Sequence, residues 1–308
     1  MFGLEFLDLF RAMPGSVAQG LIWGIMAIGV YITFKILDFA DLTVDGSLGL
    51  GGAVAVMLIL AGCPPYVVLI ASFLSGILAG LVTGLLHTAL GIPDILAGIL
   101  TQIALYSINL NIMGKSNQAV SVDQYDLVVS LRYISHAITV GVIFLIIIIA
   151  VLYWYFGTEQ GFTIRCTGCN ENMARAQGIS TGKAKVIGLA LSNGLVGLSG
   201  AFIAQYQGNA DVNMGRGAIV IGLAAVIIGD VIGTAIFGKY MNFALKLLFA
   251  AIGAIIYYLV ITFVLWLGLP SQDMKLFSAI VVALVLAVPY LKNKYSTSFA
   301  RAARKGAE

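Results

Sequence analysis

The chain has 308 residues, of which 60% belong to the hydrophobic class and only 10% are charged. Soluble globular proteins have roughly 45–50% apolar and about 25% charged residues, so this composition excludes a soluble protein. The formal net charge of +3 is small for a nucleic-acid-binding protein, which needs a dense basic surface. The composition therefore indicates a protein whose main partner is the lipid bilayer.

Apolar stretches long enough to cross a bilayer recur along the whole chain. A transmembrane helix needs about 20 mostly apolar residues, because lipid offers no partner to the backbone N–H and C=O groups. Eight or nine stretches qualify, and they lie at 15–36, 44–62, 66–90, 94–113, 134–156, 184–206, 217–236, 241–267 and 275–291. The sequence predicts an all-α, polytopic transmembrane helical bundle with about eight or nine spans and discontinuous helices.

The two ends of the chain differ from this central region, 15–291. Residues 1–14 lack the basic start and small-residue cleavage site of a signal peptide, and we expect them to lie as an amphipathic segment at the membrane interface. The last segment, 292–308, is a basic tail. Lysine and arginine are enriched in cytosolic loops, which predicts a cytosolic tail, a cytosolic loop at 158–182 and an N-terminus outside.

Two polar segments interrupt the apolar pattern, at 37–47 and at 205–217. The first places Asp38, Asp41 and Asp45 between two apolar helices. An aspartate at the centre of a membrane helix costs about 2.5–3.5 kcal/mol, so these carboxylates should lie at a boundary, in a cavity or at a helix N-terminus. Asp45, followed by glycine and serine, suits the start of a helix.

Polar side chains inside the spans are candidates for lining a translocation pathway. Gln102 and Asn109 are seven residues apart and share a helix face, and Asn193 lies within the sixth span. With the three aspartates, they form our candidate pathway set. Equally, each of them could form a hydrogen bond between helices, worth on average about 0.6 kcal/mol.

The centre of the loop at 158–182 is predicted to form a short helix. Asn170 is a candidate N-cap, helix-compatible residues follow it, and Gly178 is a C-terminal stop. Glu171 and Arg175 are four residues apart and could pair with each other. A capped helix between two membrane spans has a shape that could dock into another protein.

Through this loop and its surroundings, the sequence resembles bacterial ABC importer permeases of the branched-chain amino acid and ribose class. The matching residues are Asn170-Glu171-x-x-Ala174-x-x-x-Gly178-Ile179, and then Leu191-Ser192-x-Gly194-Leu195-x-Gly197. The resemblance extends over most of residues 15–290. Asp38 stands where the branched-chain amino acid permeases usually have asparagine, and the run Asp41-Leu42-Thr43-Val44-Asp45-Gly46 resembles an uncharacterised, amino-acid-type branch of the class.

This resemblance implies a function and a set of partners. The short helix would be a coupling helix that seats in a cytosolic ABC ATPase, with contacts from Asn170, Glu171, Met173, Ala174, Arg175, Gln177 and Gly178. Two permease copies, two ATPase copies and an extracytoplasmic solute-binding protein are expected, in the bacterial cytoplasmic membrane. The transported solute would be small, and an amino acid fits best. No cofactor or metal is implied.

Alternative functions fit the sequence less well. The chain has no complete phosphate-binding loop and none of the motifs of an intramembrane enzyme, so ATP hydrolysis would belong to a separate subunit. An ion-coupled secondary transporter would also have broken helices and carboxylates at the midplane. An ABC permease for a sugar or a nucleoside is the remaining alternative.

Overall fold

The computed structural model describes residues 6–121 and 124–267, together with isolated positions between 276 and 287. Eight helices in this part of the chain are long and apolar enough to cross a membrane. They match the first eight predicted spans to within a few residues, which confirms the all-α polytopic bundle. The predicted ninth span at 275–291, apart from those positions, and the tail at 292–308 lie outside the described residues.

The described elements follow one another with short connections. In chain order they are α1 (Phe6–Tyr31) with a π-helical extension (Ile32–Ile36), α2 (Thr43–Leu60), α3 (Pro65–Thr88), α4 (Asp94–Met113), β1 (Asn117–Ala119), α5 (Ile134–Tyr155), α6 (Glu159–Cys169), α7 (Glu171–Ala176), α8 (Thr181–Gln207), β2 (Asn209–Asp211), α9 (Ala218–Phe237), a 3-10 turn (Gly238–Tyr240) and α10 (Phe243–Trp266).

Helix α1 is continuous from Phe6 through Pro14 into the first span, which runs from Leu9 to Ile36. Its last turn widens into a π-helix at Ile32–Ile36 before the chain leaves the helix. The interfacial role of residues 1–14 stays a prediction, and among the described residues no break separates residues 6–14 from the span.

Helix α8 lies at the centre of the bundle and is buried along most of its length. Its closest neighbour is α3, whose glycines recur every four residues. A methyl group at Gly76 or Gly80 would overlap the α8 backbone at Asn193 or Leu189, so only glycine permits this approach. Small residues four positions apart allow two helix backbones to approach closely in lipid, and this repeat does so between α3 and α8.

Serine hydroxyls connect α8 to α1 across the bundle interior. Ser192 donates to the Gly29 carbonyl at 2.7 Å, and Ser199 donates to the Ile22 carbonyl at 2.9 Å. All four groups are buried in an apolar environment, where an unsatisfied hydroxyl would be costly. These bonds fix the register of the two most buried helices.

The bundle has two distinct ends. At one, which we call the strand end, β1 and β2 form a two-stranded antiparallel sheet that pairs Asn117 with Asp211. At the other, the loop end, α6 and α7 connect α5 to α8. The segments 37–42 and 212–217 lead into α2 and α9, and α2 begins on the buried residues Thr43 and Val44.

Candidate functional site

The chain turns within the bundle between α1 and α2. Phe39 is buried and meets the ring of His87 edge-on, with the ring centroids 5.1 Å apart. Asp38 before it is exposed and adopts a φ of +53°, a region that aspartate enters more readily than most residues. This turn carries the chain from the loop end to the start of α2.

Asp41, Asn193 and Ser47 form a buried hydrogen-bonded chain at the start of α2. One carboxylate oxygen of Asp41 accepts from the Thr43 backbone N–H at 2.9 Å, and the other accepts from the Asn193 amide at 2.7 Å. The Asn193 amide oxygen accepts from the Ser47 hydroxyl at 2.6 Å. Asp41 therefore satisfies the N-terminus of α2, and α8 holds Asp41 in place.

Three threonine hydroxyls connect α2, α3 and α4 just beyond this chain. The hydroxyl oxygens of Thr43 and Thr83 are 2.7 Å apart, and Thr83 donates to Thr101 at 2.9 Å. All three side chains are buried. They close the interior between the three helices on the side next to Asp41.

Asp45 occupies the N-terminus of α9. Its two carboxylate oxygens each accept one backbone N–H, from Gly217 and from Ile219, both at 2.9 Å. The N-terminus of a helix carries a partial positive charge and unpaired N–H groups, so it stabilises a carboxylate there. Asp45 was predicted to lie at the start of a helix, and it lies in the first turn of α2. Its carboxylate also binds the N-terminus of a second helix, α9.

A cavity of about 330 Å³ opens beside Asp45. Its walls come from α2, α4 and the segment before α9, and its lining residues are Asp45, Gly46, Gln102, Ile103, Tyr106, Ser107, Asn109, Val212 and Arg216. Small-ligand sites have volumes of roughly 300–1,000 Å³ and a few convergent polar groups. This cavity meets both conditions.

The six predicted pathway residues fall into three groups. Asp45, Gln102 and Asn109 line this one cavity. Asp41 and Asn193 are buried next to it in the chain described above, with their polar atoms engaged by protein. Asp38 is exposed on the turn after α1, apart from the others.

Three polar cavity residues were not singled out from the sequence. Tyr106 and Ser107 lie on α4 between Gln102 and Asn109, and Arg216 lies in the interruption at 205–217 that the sequence did show. The Arg216 guanidinium is 5.8 Å from the centroid of the Tyr106 ring. The sequence does show that Arg216 is a charged residue within a polar interruption. It does not show which helix the Arg216 side chain faces.

The short helix of the loop end forms with the predicted caps. The Asn170 side chain accepts from the Met173 backbone N–H at 3.0 Å, and α7 follows from Glu171 to Ala176. Gly178 ends the turn with a φ of +79°, which favours glycine. Ala174 is buried against the rest of the molecule.

Glu171 ties α7 to the start of α8. It pairs with Arg175 at 2.6 Å, as its spacing predicted, and with Lys185 at 2.9 Å. Thr181 adds a hydroxyl at 3.3 Å from the same carboxylate. The Lys185 hydrogen bond, with the charges of Lys185 and Arg175, lowers the pKa of Glu171, so this carboxylate is ionised near neutral pH.

Lys185 also links this cluster to α3. Its ammonium nitrogen is 3.3 Å from Nε2 of His87, and the Nδ1 of that ring is 2.8 Å from the Ile92 carbonyl. A tautomer with its proton on Nδ1 satisfies both contacts. The α7 helix is thus joined, through Glu171 and Lys185, to the helices that reach the interior.

The opposite face of α7 is open. Met173 is 63% exposed and Gln177 is exposed, and both border a mainly apolar hollow of about 300 Å³. The hollow is lined by Phe162, Cys166, Cys169, Asn170, Met173, Ala174, Gln177 and Ile179. Of the seven predicted contact residues, Asn170, Met173, Arg175, Gln177 and Gly178 are exposed, Glu171 is partly exposed and Ala174 is buried. Among the described residues, no group of three or more metal-ligating side chains is present.

Together, a polytopic helical bundle with broken helices, a polar cavity at the break and a capped helix at one end define a membrane transport subunit. The family described as the branched-chain amino acid transport system permease component matches residues 13–290. The chain belongs to this family of ABC transporter permeases.

Several curated relatives agree with this assignment. The chain is 40% identical to the tyrosine transport system permease protein of Clostridioides difficile (strain R20291), over 88% of this chain and 89% of that protein. It is 32% identical to the uncharacterized protein RP368 of Rickettsia prowazekii (strain Madrid E), over 88% and 95%. It is 28% identical to the galactofuranose transporter permease protein YtfT of Escherichia coli (strain K12), over 94% and 80%. No solved structure gives a significant match.

The family assignment establishes the coarse function. The chain is a multi-pass protein of the inner membrane and a permease subunit, not a catalytic one, and the family implies an ATPase and a solute-binding protein as its partners. The alternative of an ion-coupled secondary transporter is therefore set aside.

Proposed function

We propose that this chain forms the translocation pathway for an amino acid and transmits ATP-driven motion through α7. The proposed coupling role rests on the difference between the two sides of α7. One side is held to α8 by Glu171 and Lys185, and the other presents Met173 beside an apolar hollow. A helix fixed on one side and open on the other can transmit the displacement of a docked partner.

The pathway role rests on the cavity between α2, α4 and α9. Its polar lining combines groups from both broken regions of the chain, the start of α2 and the segment before α9. Broken helices at the substrate site are a recurrent device in transporters. The loop end is the cytosolic end in this proposal, because the basic side chains Lys35, Arg165 and Lys185 lie there.

The complex would contain two copies of this permease, two ATPase subunits and one external solute-binding protein. Native mass spectrometry of the complex extracted in mild detergent measures these copy numbers directly. A permease that purifies with a second, different permease would replace the homodimer by a heterodimer.

Docking is tested by Met173→Glu, with Gln160→Glu as the matched control. Both positions are exposed at the loop end, and Met173→Glu places a charge on the apolar hollow without touching the Glu171 cluster. Burying an unpaired charge at an interface costs several kcal/mol, so we expect ATPase co-purification and uptake to fall at least about tenfold. Gln160→Glu should retain both. The coupling proposal fails if wild-type protein brings down no ATPase, or if Met173→Glu behaves like wild type.

The substrate class is supported by the relative named for tyrosine transport, at 40% identity. Relatives named for galactofuranose and ribose, each at 28% identity, favour a sugar as the second candidate. Calorimetric titration of the partner binding protein with amino acids and with sugars separates the two classes. Binding of sugars alone would assign this permease to sugar import.

A further inference from the structure

The cavity beside Asp45 carries two opposite charges that do not neutralise each other. Asp45 and Arg216 both line it, yet within the described part of the chain Arg216 forms no ion pair. Arg216 is exposed and lies just before α9, so its guanidinium is accessible to a ligand in the cavity. The space between these two charges is therefore suited to a ligand that carries both signs.

Asp45 retains capacity for a cationic ligand. A carboxylate offers about four lone-pair positions, and the backbone N–H groups of Gly217 and Ile219 use one on each oxygen. Because Asp45 already occupies the N-terminus of α9, that helix end is closed to a second anion. A ligand carboxylate is left with the Arg216 guanidinium, whose planar fork matches it.

Asn109 provides a second, independent indication that the cavity is a binding site. Its side chain is 1% exposed and lines the same cavity. Its amide nitrogen reaches the Gly46 carbonyl only at 3.5 Å, and its amide oxygen has no hydrogen-bond partner. Buried polar atoms are nearly always satisfied, so this acceptor is available to a donor such as an ammonium group.

We propose that this cavity binds the α-amino acid zwitterion during passage, with Arg216 holding the carboxylate and Asp45 and Asn109 holding the ammonium group. The inference rests on the proposed function and adds the residues that recognise the substrate. A neutral sugar can hydrogen-bond to both groups but carries no charge to pair with either, so the cavity favours a zwitterion over the second candidate class. The Tyr106 ring beside Arg216 provides a face against which an apolar or aromatic side chain can stack.

The test uses the purified permease–ATPase complex in nanodiscs without the binding protein, so that only this chain recognises the ligand. The probe is the standard amino acid that the complete transporter accumulates in proteoliposomes, L-tyrosine being the first tested. Its decarboxylated and deaminated analogues, tyramine and 3-(4-hydroxyphenyl)propionate for L-tyrosine, are compared with it by saturation-transfer NMR. We expect wild-type protein to bind the amino acid better than either analogue.

Arg216→Gln should weaken binding of the amino acid about tenfold, the size of one lost charge-assisted hydrogen bond, and should remove the preference over the decarboxylated analogue alone. Asp45→Asn, which keeps an oxygen for the α9 N–H groups, should remove the preference over the deaminated analogue. Arg216→Lys keeps the charge and should retain most of the preference for the carboxylate. Lys115→Gln, an exposed charge loss at the strand end, should change nothing.

A purely structural role for Arg216 would weaken all ligands equally and leave the order of preference unchanged, which would overturn the inference. Equal binding by wild type and Arg216→Gln would also overturn it while amino acid uptake, and hence the proposed function, remained. If the complete transporter accumulates no amino acid, the proposed substrate class fails, and this inference fails with it.

Discussion

The Asn193 side chain joins three parts of the bundle at one point. Its amide nitrogen donates to Asp41 and to the Leu189 carbonyl, and its amide oxygen accepts from Ser47. Asn193→Ala would leave the buried Asp41 carboxylate and the Ser47 hydroxyl each short of a partner. The loss of one partner from a buried polar pair costs about 1–3 kcal/mol, more for a charged group. We expect a clear drop in the thermal unfolding midpoint of the detergent-purified protein.

The exchanged pair Asp41→Asn with Asn193→Asp provides the rescue for this prediction. Asn at position 41 can accept from the Thr43 N–H and donate to a carboxylate at position 193. That carboxylate still accepts from Ser47 but no longer donates to the Leu189 carbonyl. The double variant should be more stable than either single variant. Asn111→Ala, an exposed amide on α4, is the control and should leave the midpoint unchanged. If the loss of stability in the double variant equals the sum of the losses in the two single variants, the two side chains do not act as a pair.

Glu171 makes the attachment of α7 dependent on pH. Since Lys185 lowers the pKa of Glu171 below its ordinary value of 4.5, the attachment is fully present above that value and is lost as the pH falls through the lower, folded-state pKa. Hydrogen–deuterium exchange of the peptide covering residues 170–178, corrected for intrinsic rates, should show protection at pH 7 that begins to weaken only below pH 4.5. Glu171→Gln should lack this transition, and the same pH dependence in wild type and in Glu171→Gln would contradict the role given to the carboxylate.

The contact between α3 and α8 depends on the absence of a side chain at Gly80. A methyl group there would overlap the Leu189 carbonyl, and forcing extra atoms into a close-packed interior costs about 1–3 kcal/mol. Gly80→Ala should therefore lower the unfolding midpoint.

Gly182 provides the control, because a methyl group there would be 3.7 Å from the Thr88 side chain, an ordinary contact distance. Alanine is also favoured over glycine within a helix. Gly182→Ala should be neutral or slightly stabilising, and a similar loss in both variants would mean that backbone approach is not the cause.

Element positions were predictable because each depends on local composition. The length of an apolar run sets a span, and Asn170 and Gly178 mark the two ends of α7 by their own backbone preferences. The pairing of Glu171 with Arg175 follows from helix periodicity and was also predicted. The pairing of Glu171 with Lys185 depends on how α7 folds back onto α8, and the sequence contains no local signal for that.

The same distinction applies to the candidate site. Polar residues within apolar spans marked Asp45, Gln102 and Asn109 as candidates, and the fold brings these three to one cavity. Asp41 looked the same in the sequence, but its carboxylate is used by Thr43 and Asn193. Whether an aspartate lines a cavity or is fully engaged by protein depends on contacts between segments 152 and 174 residues apart in the chain, which composition cannot indicate.

The orientation of the whole molecule can be tested with its native cysteines. Cys63 lies in the turn between α2 and α3 at the strand end, whereas Cys166 and Cys169 lie on α6 at the loop end. All three are free thiols with partial or full exposure, so each reports the side on which it lies. If the loop end is cytosolic, a membrane-impermeant maleimide added to right-side-out vesicles should label Cys63 and spare Cys169.

In inverted vesicles this pattern should reverse, because the same two ends then exchange access to the reagent. The single-cysteine variants Cys63→Ser/Cys166→Ser and Cys166→Ser/Cys169→Ser isolate the two reporters, and the triple serine variant gives the background. Labelling of Cys169 from the outside of right-side-out vesicles would place α7 on the side away from ATP. The fold would then stand unchanged, but α7 could not contact a cytosolic ATPase, and the coupling proposal would have to be abandoned.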